Sequence, residues 1–387
     1  MIPLFDLTRQ YLKLRGEILN AIDKVISSGR VILGENVRKF EEELAEYLGV
    51  KCAVGVSNGT DALILAMKAL NIKYGDVVIT TPYTFIASAS AASWLGGFPA
   101  FVDVEEESMN MNLDNLITLL NGTEGGLNPE RVKAIVFVHL FGRSLDLDRI
   151  KEIRDRYNIP IVEDVAQALG AEWKKRDGSV VKAGSVSDIA TFSFFPTKNL
   201  GTYGDGGAVA TNSDELCEIL KMLRVHGSKK KYKHELLGKN ARLDEIHAAV
   251  LRIKLKYIDQ WNDRRIEIAK LYGKLFEEMD LVEFLDYPKP VEGFKGHVFH
   301  QFVVKFKKPE YREKVIEKFK ERGIGFAIYY PKPLHLQPAF EYLGFSKGDF
   351  PVAERLSKTT LALPIFPELR DDEVEIVALT IKNALEV

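Results

Sequence analysis

The chain has 387 residues, 46% hydrophobic and 28% charged, and its 53 Lys and Arg against 55 Asp and Glu leave a net charge of −2. This composition excludes a disordered, collagen-like or mini-protein scaffold, and a chain this long can bury about three quarters of its unfolded surface in two or three domains. The charge balance offers no general attraction to nucleic acid or an anionic membrane, and Cys52 and Cys217, without C-x-x-C spacing, predict neither a disulfide framework nor a zinc–thiolate site.

The amino-terminal stretch carries Asp6 where a secretory signal needs an apolar core, so a cytoplasmic location is expected. Short apolar runs at residues 77–79, 101–102, 134–138 and 159–162 read as buried strands, separated by helical patterns such as 61–70 and 147–157. Residue 87 to residue 102 is the softest long stretch, but it is too short and too interrupted to span a bilayer. Strand–helix alternation predicts an α/β domain with a mostly parallel sheet, where ligands collect beyond the carboxyl ends of the strands. Two more apolar runs, 188–195 and 207–210, flank a glycine-rich loop. A helical pattern then runs from residue 244 to about 279. Beyond it, residues 299–306 and 325–330 read as strands and 310–322 and 371–386 as helices. The division expected is a large α/β domain over residues 1–255 and a smaller α+β domain over 256–387.

Three constellations carry possible chemistry. Ser57-Asn58-Gly59-Thr60-Asp61 opens an apolar helix, and a helix start can present amides and a hydroxyl to a phosphate. A plain helix cap would use the same residue types. Glu163 and Asp164 end a buried strand, where a carboxylate can hold a cationic group such as a pyridinium N–H; alternation turns one of them inward without saying which. Lys198 follows an apolar strand and precedes four glycines, a setting that desolvates an amine and makes it a Schiff-base nucleophile, although most lysines are merely exposed.

Taken together, a phosphate cup, a strand-end aspartate and a lysine 34 residues beyond it follow the order used by pyridoxal-phosphate enzymes of the aspartate-aminotransferase fold, fold type I. The chain closely resembles the DegT/DnrJ/EryC1/StrS aminotransferases, through SNGTDAL, PYTFIASA, VHLFG, VEDVAQALGA, SFFPTKNLGTYGDGGAV, GKNARLDEIHAAVL and YYPKPLHLQPAF. The resemblance implies that Lys198 forms the internal aldimine and shuttles a proton, while Asp164 pairs with the pyridine nitrogen. It places Gln167 near the ring's phenolic oxygen and Phe85 on the ring face, a position that a core aromatic would also fill. Gly59, Thr60 and Ser193 match phosphate contacts. Asn240 matches an asparagine reaching that phosphate from the partner subunit, which implies a homodimer with shared sites. Arg242 and Tyr330 match substrate-side residues.

Two departures stand out. Tyr329-Tyr330-Pro331 replaces the family's frequent His-Tyr-Pro, and Arg143 follows Gly142 where glutamine is frequent. Lys230, in the basic run 228–233, could grip a nucleotide diphosphate or belong to a solvated loop. His297-x-x-His300 has no acidic or thiol ligand at zinc spacing, so no metal is predicted. The implied activity is ping-pong transfer of an amino group from an amino acid, L-glutamate, to a nucleotide-linked keto sugar, at C3 rather than C4. A member that has lost catalysis and acts as a ligand-responsive regulator is the alternative, and retention of Lys198, Asp164 and Gln167 weighs against it. No G-x-G-x-x-G follows a strand, which disfavours a nicotinamide dehydrogenase.

Overall fold

A computed structural model of the chain describes residues 1–122 and 129–385. Helices α1 (Leu7–Ser28) and α2 (Glu35–Leu48) precede the first strand, β1 (Cys52–Val56). Then follow α3 (Gly59–Ala69), β2 (Val77–Thr80), α4 (Ala87–Ser93), β3 (Phe98–Phe101), α5 (Leu113–Leu120), β4 (Val132–Val138), α6 (Leu147–Tyr157) and β5 (Ile161–Asp164). A small hairpin of β6 (Glu172–Lys174) and β7 (Val180–Lys182) leads to β8 (Ile189–Ser193) and β9 (Gly207–Thr211).

Seven of these strands form one sheet in the order β1-β9-β8-β5-β4-β2-β3. β9 runs antiparallel to both neighbours, β1 and β8, and the remaining pairs are parallel. The sheet is therefore mixed and mostly parallel, as in fold type I. Its parallel strands deliver their carboxyl ends to one edge, which gathers the turns after β1, β2, β4, β5 and β8. Helix α3 lies inside: Asp61 through Met67 are all buried, which suits a helix that is apolar on nearly every face.

After α7 (Asp214–Leu223), a second hairpin pairs β10 (Ser228–Lys230) with β11 (Lys233–His234). The long helical pattern divides into α8 (Glu245–Leu255) and α9 (Ile258–Glu278). Tyr257 leaves helical geometry at φ −107°, ψ −3°, and neither glycine nor proline marks the break. A three-stranded antiparallel sheet of β12 (Leu285–Asp286), β13 (Phe302–Phe306) and β14 (Thr360–Leu363) packs with α9, α10 (Pro309–Arg322) and α12 (Asp371–Leu385); Glu386 lies outside the described residues. Ile2 joins this core and bridges Ile324, so the amino terminus packs with the carboxyl-terminal part of the chain. α11 (Pro351–Thr359) precedes β14. The strand expected over 325–330 is reduced to one bridge, Ala327 to Ala362, and its last residue, Tyr330, turns into the left-handed region at φ 59°.

The cysteine expectation is overturned. Cys52 and Cys217 form a disulfide with Cα atoms 6.2 Å apart, across 165 residues of sequence. Spacing could not reveal it, because the sheet order does the work: β1 lies beside β9, and the helix that follows β9 is α7, which carries Cys217. Among the described residues no helix is long and apolar enough to cross a membrane.

Candidate active site

The loop after β8 is closed on itself. Phe194 N donates to Gly206 O (2.7 Å), Lys198 N to Phe195 O (2.8 Å) and Thr202 N to Phe194 O (2.9 Å). A Cβ at Gly201 would lie 2.4 Å from Pro196 O, so only glycine allows this closure. Lys254, wholly buried on α8, donates its Nζ to Gly201 O (2.7 Å), and burial pushes its amine down to about 8. Lys198 projects from the loop half-buried, and among the described residues nothing accepts a hydrogen bond from its Nζ. Burial pushes its amine down from 10.5 to about 8, with the charge of Asp164 pulling the other way. That difference raises the free-amine fraction at neutral pH roughly 300-fold over an ordinary lysine, which is what a nucleophilic amine requires.

The two acids at the end of β5 have different duties. Glu163, fully buried, accepts from Gly184 N (2.8 Å), Ser187 N (3.0 Å) and His139 Nε2 (3.0 Å). Leu145 N donates to His139 Nδ1, so the ring's proton sits on Nε2. Burial alone would raise the Glu163 carboxyl, but these donors bring it below its ordinary value. Glu163 is thus a structural anchor. Asp164, 6% exposed, turns to the Lys198 side; its Oδ2 accepts from Ser88 Oγ on α4 (2.8 Å) and its Oδ1 from Ala166 N (3.1 Å).

Gly59, Thr60 and Ser193 come together as expected from their motifs. Asn58 caps α3 by accepting from Asp61 N (2.8 Å), while the amides of Gly59 and Thr60 find no intramolecular acceptor among the described residues. These are the orphan donors at the positive end of a helix, an anion-binding arrangement. A Cβ on Gly59 would come within 2.7 Å of Ser193 Cβ, and one on Gly207 within 2.5 Å of the Asn58 carbonyl carbon. The cup therefore closes only with glycine at both positions. Asp61, in the first turn, is held by Ser57 Oγ (2.5 Å) and by the Lys239 ammonium. Ser57 N donates to Ala241 O (3.2 Å) and Val56 bridges Arg242, so residues 239–242 run beside the cup. Asn240 itself is exposed, and Arg242 half-buried.

The aromatic side is built from the turns after β2 and β4. Phe85 is 58% exposed, available to stack on a ligand rather than filling the core. Gln167 Oε1 accepts from Phe141 N (2.6 Å), and its Nε2 donates to Tyr330 Oη (3.1 Å). Tyr330 stacks on Phe141 at 6.0 Å and meets Tyr83 edge-on at 5.5 Å; burial pushes its phenol well up. Tyr329, half-buried, leans on Phe141 at 6.1 Å. Two other residues share none of these contacts. Lys230 is exposed on the β10–β11 hairpin where a loop was expected, and Arg143 lines a cavity of about 560 Å³ with Glu106, Tyr287 and Lys305, which neither Lys198 nor Asp164 borders. Ser88, Tyr83, Phe141 and Lys254 were missed in the sequence. Ser88 and Tyr83 sit inside the PYTFIASA motif and Phe141 inside VHLFG, whereas Lys254 lies outside every motif.

A phosphate cup of free amides, a buried carboxylate and a desolvated amine together fit pyridoxal phosphate: the cup for its phosphate, Asp164 for its pyridine nitrogen, Lys198 for its aldehyde. Comparison with known proteins agrees. The chain is 42% identical over 369 residues to a dTDP-3-amino-3,4,6-trideoxy-alpha-D-glucose transaminase of Streptomyces venezuelae, covering 95% of this chain and 92% of that one. It is 42% identical over 376 residues to a pleiotropic regulatory protein of Geobacillus stearothermophilus, covering 97% and 96%. The crystal structure of S. venezuelae DesV in complex with a ketimine intermediate superposes with a TM-score of 0.91 at 38% identity, covering 100% and 99%. The model of the DegT/DnrJ/EryC1/StrS aminotransferase family matches residues 13–382, and the chain belongs to that family of pyridoxal-phosphate enzymes.

Proposed function

We propose that the protein moves an amino group from L-glutamate to a nucleotide-linked keto sugar, at the sugar's C3, in two half-reactions at one site. The observation that carries the reading is the pair formed by Lys198 and Asp164: a half-buried amine pushed down to about 8, within reach of the charge of a buried carboxylate. The C3 position is supported by the 3-amino sugar named for the S. venezuelae relative, and the loop sequence after Lys198 favours it.

Pyridoxal phosphate, when bound, supplies an aldehyde for the amine and a ring that takes up the electrons of the broken Cα–H bond. Gly59, Thr60 and Ser193 bind its phosphate. Asp164, oriented by Ser88, keeps the proton on the ring nitrogen. Gln167, fixed by Phe141 N, retains one amide N–H beyond the one given to Tyr330, which would be free to donate to the ring oxygen. Phe85 covers the ring face. Lys198, once freed, takes a proton from the substrate carbon at its Nζ and returns it to the other side of the transfer. Arg242, Tyr329, Tyr330 and, at the nucleotide end, Lys230 contact the sugar substrate. Asn240, exposed beside the cup, reaches the phosphate of a partner subunit, which makes a homodimer the working unit in a cytoplasmic setting.

The Geobacillus relative's name favours a regulatory reading, but a regulator has no need of a desolvated lysine facing a buried aspartate. Incubation of the cofactor-loaded protein with glutamate and then with 3-keto and 4-keto dTDP- and UDP-sugars, read by mass, should give an amino sugar from a 3-keto substrate. Amination of no keto sugar would sink the substrate class. A Lys198→Ala protein that still converts glutamate at the wild-type rate would sink the mechanism.

A further inference from the structure

The His297-x-x-His300 pair, spaced for no metal, belongs to a built and strained segment. Phe299 sits at φ 45°, a backbone region that costs a non-glycine residue about 1–3 kcal/mol unless its surroundings hold it there. Here they do. The fully buried guanidinium of Arg265 donates to the carbonyls of Phe299 (3.2 Å), His300 (3.4 Å) and Ile365 (3.1 Å). The His297 ring lies flat on Phe299 at 3.9 Å, and its Nδ1 accepts from Phe299 N (3.0 Å). Gly142 makes room for the segment: a Cβ there would stand 2.9 Å from His300 N and 3.1 Å from Gln167 O.

What the segment presents is the His300 side chain, whose Nδ1 is 3.1 Å from Asn199 Oδ1. Asn199 directly follows Lys198. Its Nδ2 donates to Asn262 Oδ1 (2.7 Å) and to Val298 O (3.2 Å). Val298 O can only accept, which fixes the orientation of the Asn199 amide, so Oδ1 can only accept and His300 carries its proton on Nδ1. Asn262 in turn donates to Leu169 O (3.0 Å), at the end of the turn that begins at Asp164 and holds Gln167. Burial, then the charges of Lys198 and Arg265, hold His300 well below its ordinary pKa, so the ring is neutral and remains a single-proton donor to Asn199.

We propose that His300 is a positioning residue for transamination: through Asn199 it fixes the backbone that carries Lys198, and through Asn262 it keeps that backbone in register with the turn of Asp164 and Gln167. This rests on Lys198 being the working amine, and the test separates the two. His300→Leu removes the donor and keeps bulk, whereas His300→Asn sets an amide nitrogen where Nδ1 lies. In cofactor-free His300→Leu, amide hydrogen exchange across residues 197–203 should quicken roughly tenfold while the strand at 132–138 keeps its protection. In the loaded enzyme, kcat should fall by a similar factor with KM for the amino donor unchanged. His300→Asn should restore both. Unchanged loop exchange in His300→Leu, or a His300→Asn protein as impaired as His300→Leu, overturns the proposal. If His300→Leu does not fold, Asn199→Ala removes the acceptor and must show the same loop exchange, or the proposal fails. A Lys198→Ala protein that keeps the glutamate half-reaction instead overturns the role of Lys198, while the cofactor-free exchange still judges His300.

Discussion

Replacing Lys198 with methionine should make the cofactor-free protein more stable at neutral pH. The side chain keeps its length, and the lost Nζ has no hydrogen-bond acceptor among the described residues. Its amine is pushed down from 10.5 to about 8, chiefly by burial. The folded state therefore binds the proton less tightly than the unfolded one. The cost of holding the charge is fully present below pH 8, and it disappears as the pH rises through 10.5. At 1.36 kcal/mol per pH unit the cost is about 3 kcal/mol, an upper value for a side chain that keeps some exposure. Urea unfolding of wild type and Lys198→Met, both stripped of cofactor, should show a gap of about 2–3 kcal/mol at pH 7 that closes toward pH 10.5. Taking the difference between the two proteins cancels other titrations, that of Lys254 included. A variant no more stable than wild type at pH 7, or a gap that does not change with pH, refutes the argument that burial activates this amine.

Gly59→Ala should lower affinity for pyridoxal phosphate at least roughly tenfold, read by titration of the cofactor-free protein, because its Cβ would press on Ser193 inside the cup. Tyr330→Phe removes the acceptor for Gln167 Nε2 and should cost about 1 kcal/mol in thermal unfolding, with a larger drop in kcat/KM for the keto sugar than for glutamate. Cys217→Ser opens a closed stretch of 165 residues and should destabilise the chain by about 2–5 kcal/mol, measured by denaturant melts without reductant.

The sheet was readable in the sequence because parallel strands buried on both faces leave unbroken apolar runs, as in β4, where only Lys133 is exposed. The proposed site was readable because local chemistry signs it: a cap before an apolar helix, acids at a strand end, a lysine before glycines. What stayed hidden depends on long-range placement. Glu163 and Asp164 are adjacent in sequence, and only the positions of His139, Gly184 and Ser187 separate anchor from reactive acid. The break at Tyr257 and the left-handed turn at Phe299 carry no adjacent glycine or proline to announce them. The Cys52–Cys217 bridge follows from strand order, which no periodicity encodes.

The phosphate cup poses an electrostatic question that the near-neutral chain leaves to local devices. A carboxylate, Asp61, occupies the first turn of the helix whose amides are proposed to receive the phosphate, and like charges a few ångströms apart repel by roughly 1 kcal/mol in water and several times that near protein. Ser57 and Asn58 occupy its oxygens, but neither carries charge; only Lys239 does, paired to Oδ1 from outside the helix. As a contribution to folding such a half-exposed pair is worth little. As a screen it matters more, because it removes a negative charge from the approach of an anion. Lys239→Met should therefore leave thermal stability nearly unchanged yet weaken binding of pyridoxal phosphate roughly tenfold at low ionic strength. The deficit should shrink at 0.5 M salt, where the Debye length is only about 4 Å. Equal affinity for Lys239→Met and wild type at low salt would mean that the helix amides alone outweigh Asp61, and that the lysine serves only to seat residues 239–242 against the cup.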